Sequence, residues 1–99
     1  MISFTIQLPR LSETQRFQLE EALLKAPRVD AFSMDEDTGR FAITTAEDAL
    51  RDMVAALYGW ASGYAGMLLQ TAVACGDRET MVLGKHSPND IIHYLAACQ

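Results

Sequence analysis

Ninety-nine residues, 49% of them hydrophobic and 21% charged, are enough for one domain (1–99) with its own core and too few for a catalytic plus a regulatory domain. This globular composition excludes a disordered tail or a low-complexity linker. The net charge of −5 is concentrated in residues 30–52, where Asp30, Asp35, Glu36, Asp37, Glu47, Asp48 and Asp52 meet only Arg40 and Arg51. Acids and bases balance elsewhere, so one acidic region and no basic stripe are expected, which argues against direct nucleic-acid binding.

The opening residues, "MISFTIQLPR", lack the basic start, long apolar run and small-residue cleavage site of a secretory signal, and the cytoplasm is the expected location. Ile2, Phe4, Ile6 and Leu8 alternate with polar residues as in a strand with one buried face, and Pro9 ends it. Ser12 and Gln15 then form a capping box that starts a helix over residues 13–26. Phe17, Leu19, Leu23 and Leu24 are expected on its buried face, and Pro27 stops it.

"RVDAFSMDEDTGRFAITT" reads as a hairpin, with Phe32 and Met34 in one arm, Phe41 and Ile43 in the other, and a turn in which Gly39 supplies positive φ. A calcium loop beginning at Asp35 needs glycine at its sixth position and glutamate at its twelfth. Arg40 and Ala46 stand there, so the acids read as a solvated turn. Thr45, Glu47 and Asp48 resemble another helix start. Leu50, Met53, Val54 and Leu57 follow as the strongest helical stripe in the chain.

Residues 53–76 contain no charged side chain. A membrane span would need more hydrophobicity than Ser62, Gln70, Thr71 and three glycines leave, and Asp52 and Asp77 give no orienting basic flank. A single helix over 46–75 would be about 45 Å long, against a diameter of roughly 34 Å for a compact domain of this size. A break near Gly59 to Gly66 is therefore expected, with 67–75 readable as helix or strand. A short strand at 80–83 precedes a last helix capped by Ser87, with Pro88 and Asp90 in its first turn.

The order strand, helix, hairpin, helix, strand is that of an α+β ferredoxin-like β-α-β-β-α core with a C-terminal strand and helix. Within it, "LEEALLKAPRVDAFSMDEDTGRFAITT" and "LRDMVAALYGW" resemble the heavy-metal-associated domain family, with "KAPRV" at the helix-to-strand joint and "DEDTG" at the hairpin. That resemblance covers residues 2–66 and implies the fold. The family's chemistry rests on a C-x-x-C at the start of the first helix. The matching stretch here, "PRLSETQ", has no cysteine, histidine or methionine, so no metal or cofactor site carries over.

No enzyme motif is present: "GWASG" puts Ser62 in the fourth place instead of the third, and the glycines miss the phosphate-loop spacing. His86 and His93 read as surface histidines, because a metal needs further ligands. Cys75 and Cys98 read as free thiols suited to a reducing compartment, with a disulfide or a Cys75 nucleophile as alternatives. What remains is a non-enzymatic interaction or inhibitor module. Its contact residues are the hairpin acids Asp35, Glu36 and Asp37 and the aromatics Trp60 and Tyr64, and its partner is a protein with a basic surface. The alternative is a metal- or small-ligand-handling domain without the usual cysteine pair. Homodimerisation through a sheet edge or the apolar joint stays open.

Overall fold

The computed structural model describes residues 1–25, 29–35 and 38–98, with residues 29–32 and 34 described by backbone alone. The fold is α+β, as read from the sequence. Five strands, β1 (Ile2–Gln7), β2 (Val29–Asp35), β3 (Arg40–Thr45), β4 (Ala72–Ala74) and β5 (Met81–Val82), lie in the order β2-β3-β1-β4-β5. Every pairing is antiparallel. Among the described residues the α-helices are α1 (Glu13–Lys25), α2 (Leu50–Ser62), α3 (Met67–Gln70) and α4 (Pro88–Ala96). The connection from β1 through α1 to β2 therefore passes over β3, and the one from β3 through α2 and α3 to β4 passes over β1.

Strand alternation decides which face of the sheet is covered. Ile2, Phe4 and Ile6 of β1, Phe41 and Ile43 of β3 and Val73 of β4 are buried in one cluster with Leu19 and Leu23 of α1, the α2 stripe, and Ile91 and Leu95 of α4. In the helical layer α2 is the middle member, packed against both α1 and α4. The opposite sheet face carries Ser3, Thr5, Gln7, Arg40, Ala42, Thr44 and Ala74, which line a shallow open hollow.

Local signals set the helix starts. Ser12 and Gln15 exchange the expected bonds: Ser12 N donates to Gln15 Oε1 at 2.9 Å, and Gln15 N donates to Ser12 Oγ at 3.1 Å. Ser87 and Asp90 form the same box at α4, with Pro88 as its first residue. The start expected at Thr45 is different. Thr45 ends β3 fully buried, and the chain enters α2 through a 3-10 turn, Glu47–Ala49, preceded by Ala46 with no side-chain cap.

Two further expectations change. Phe17 and Leu24 are 64% and 67% exposed while Leu19 and Leu23 are fully buried. At 3.6 residues per turn, Phe17 lies about 200° around the helix from Leu19, so the four residues cannot share one face. Residues 67–75 prove to be helix and strand in succession, α3 and then β4. Gly66, at φ 76°, begins α3 in the left-handed region that glycine enters freely. The structure measures 31 × 26 × 24 Å. Among the described residues no helix is long and apolar enough to cross a membrane.

Candidate functional site

The register brings the hairpin turn and the aromatic joint to one end of the molecule. Gln7 pairs with Arg40, and Leu8 N donates to Gly39 O at 3.3 Å, so the turn lies where β1 leaves the sheet and α1 begins. At the same end, Trp60 Nε1 donates to the Gln15 carbonyl at 3.0 Å. The other acids of the 30–52 window are elsewhere. Thr45 pairs with Ile2, which places Glu47, Asp48 and Asp52 beyond the opposite end of β3, about 20 Å away at the rise of an antiparallel strand. The single acidic region expected from the sequence is thus divided between two ends.

Asp35 is exposed and also builds the turn. Its Oδ1 accepts from Thr38 N at 3.4 Å, and its carbonyl accepts from Gly39 N at 2.9 Å. Gly39 has φ +68°, and a Cβ there would stand 3.2 Å from the Leu8 carbonyl oxygen. Glu36 and Asp37 lie outside the described residues.

Trp60 and Tyr64 line a groove of about 480 Å³ together with Gln18, Glu21 and Lys25 of α1 and with Gly59 and Gly63. Gly59 projects nothing into it, and a Cβ there would meet no atom within 4 Å. Trp60 is only 7% exposed, so it contributes wall and core, not a projecting ring. Tyr64 is half-buried, its ring centroid 5.8 Å from that of Trp60, and its hydroxyl donates to Gln18 Oε1. It also borders a second hollow of about 350 Å³ with Leu68, Leu69 and Gly84. Tyr64 is therefore a ridge between two depressions, with exposed Phe17 and Leu69 in the same helical layer.

Sequence reasoning missed Phe17 and Leu69 as surface residues. The seven-residue spacing of Phe17 and Leu24, out of phase with Leu19 and Leu23, was the available signal.

The cysteines depart most from expectation. Cys75 and Cys98 are joined in a disulfide with a Cα–Cα distance of 5.9 Å, within the usual range for such a bond. Neither is a free thiol, and Cys75 is no nucleophile in this state. Around them Cys75 N donates to the Tyr94 hydroxyl at 3.1 Å, which donates to the Glu79 carbonyl at 2.9 Å. Nearby, Tyr58 donates to the carbonyls of Leu83 and His86. Burial, and secondarily the Asp90 carboxylate, raise its phenol pKa above the ordinary value, which keeps it a proton donor. His86 and His93 are exposed, and among the described residues no three His, Cys, Asp or Glu side chains converge to hold a metal ion.

No family model matches the chain, and no curated protein or solved structure matches it.

Proposed function

We propose that the protein is a non-enzymatic interaction or inhibitor module of ferredoxin-like type. It offers a basic partner protein the acidic turn at 35–37 together with the Tyr64 ridge. The observation that carries this reading is that Asp35 and Gly39 lie at the end of the sheet where Trp60 bonds the Gln15 carbonyl, with the Tyr64 ring beside Trp60. The order of the first four strands, β2-β3-β1-β4, supports the fold assignment. The combination supplies what a contact surface needs: apolar hollows for anchoring side chains, and a charged neighbour that selects the partner and speeds encounter. The cytoplasmic location expected from the first residues stays part of this reading, and it makes the Cys75–Cys98 bond a reversible one.

The test is affinity capture from the native host at low and high salt, with the captured proteins identified by mass spectrometry. Glu36→Lys with Asp37→Lys is the charge variant of choice, because Asp35 also holds the turn. Reversal is expected to weaken capture at least about tenfold at low salt and to matter less at high salt, where exposed charges are screened. Tyr64→Ala is expected to weaken capture at both. Capture indifferent to all three changes would remove the reading.

A further inference from the structure

β3 pairs with β1 along its whole length, from Ile2 to Gln7, but β4 pairs with β1 only at Thr5, Ile6 and Gln7. The edge of β1 at Ile2, Ser3 and Phe4 therefore has no strand partner on the β4 side among the described residues. Pairing ends where the Cys75 amide turns to the Tyr94 hydroxyl. In place of a strand stands the turn that follows α4: Cys98 Sγ lies 3.2 Å from the Ser3 carbonyl oxygen and is bonded to Cys75. An uncovered strand edge is a template for pairing with another chain.

We propose that the Cys75–Cys98 bond is a redox latch over this half-edge of β1, opened by a dithiol reductant to free the turn at 97–98 while α4 stays docked. Docking of α4 does not depend on the sulfurs. Ile91 and Leu95 are fully buried, and Arg78 Nη1 donates to the Tyr94 carbonyl at 2.8 Å, with its guanidinium 4.1 Å from the Tyr94 ring centroid.

One thiolate of the reductant attacks a sulfur of the pair to give a mixed disulfide, and its second thiol closes a cyclic disulfide. Cys75 and Cys98 leave as thiols, having gained two electrons and two protons between them. In the bonded pair the contact with Ser3 carries no proton. The freed Cys98 thiol donates across it, a weak hydrogen bond in place of a covalent one. Because Cys75 and Cys98 are only 8% and 5% exposed, attack waits for local opening of the turn.

The experiment is native-state hydrogen exchange on the full chain, oxidised and then reduced with dithiothreitol. Alkylation of two thiols by iodoacetamide, read by intact mass, confirms reduction. With the Ser3 carbonyl toward Cys98, the alternation of a strand points the amide of Phe4 toward β3, away from the latch. The amides of Ala97 and Cys98, which donate to the His93 and Leu95 carbonyls, are expected to exchange at least about tenfold faster on reduction, beyond the uniform acceleration that loss of global stability gives. Those of Phe4, Ile91 and Leu95 are expected to follow the uniform change alone, and Cys75→Ala with Cys98→Ala is expected to behave as the reduced chain does. Three results would overturn the latch: no excess acceleration at Ala97 and Cys98; loss of α4 protection along with theirs; or thiols that alkylate only in denaturant.

Discussion

Phe41→Ala is expected to lose about 3–5 kcal/mol of stability, the cost of truncating a fully buried aromatic side chain. Phe41 is 0% exposed and lies on β3 between Ile6 of β1 and Met34 of β2 in the register, on the sheet face that carries the helices. Truncation removes apolar area from the cluster and leaves a cavity that the strands cannot collapse into without breaking their pairing. A domain of this size has roughly 5–15 kcal/mol in total, so the transition should fall by on the order of 20 °C in a thermal melt. Phe17→Ala is the matched control. It removes the same ring from a side chain that is 64% exposed, and it should stay within about 0.5 kcal/mol of the parent. Comparable losses at the two positions would contradict the assignment of inner and outer faces.

Loss of the disulfide has the next largest effect. The bond joins residues 23 apart in sequence. Releasing a loop of that length restores unfolded-chain entropy worth about 3 kcal/mol on the chain-entropy account. The effect acts on the unfolded ensemble, so Cys75→Ala with Cys98→Ala should keep the native far-ultraviolet circular dichroism. Its urea midpoint should fall, with a slightly larger m value because the open unfolded chain exposes more surface. Reduced wild-type protein should coincide with the variant. An unchanged midpoint in both would mean that the cross-link contributes nothing to stability.

What the sequence made legible follows a physical division. Local chemistry was readable: the capping boxes at Ser12 and Ser87, the positive φ of Gly39, and the stripe Leu50, Met53, Val54 and Leu57, all of which is buried. Those signals act within a few residues. Residues 67–75 were not readable by pattern, because a four-residue helix and a three-residue strand are each shorter than the window over which periodicity shows itself. Thr45 carried the composition of a cap, but sheet pairing with Ile2 and Val29 claimed it first.

The candidate site was legible only as a set of residue types. Nothing local indicates that Trp60 turns inward to bond the Gln15 carbonyl while Tyr64, four residues on, forms a ridge. That difference follows from where α1 crosses α2. The cysteine pair shows the same limit. A separation of 23 residues says nothing of distance in space, and only the antiparallel return of α4 toward β1 brings Cys98 to Cys75. The acidic window failed in the other direction, since residues close in sequence were carried to opposite ends by the length of β3.

The proposed contact surface is the helical-layer end around Tyr64 and not the open face of the sheet. A photo-crosslinking phenylalanine derivative placed at position 64, and in a separate variant at Ala42 on the exposed sheet face, tests this directly in the native host. A discrete protein adduct is expected from position 64, fading when residues 36 and 37 are reversed in charge, and none from position 42. An adduct from position 42 with none from position 64 would contradict it.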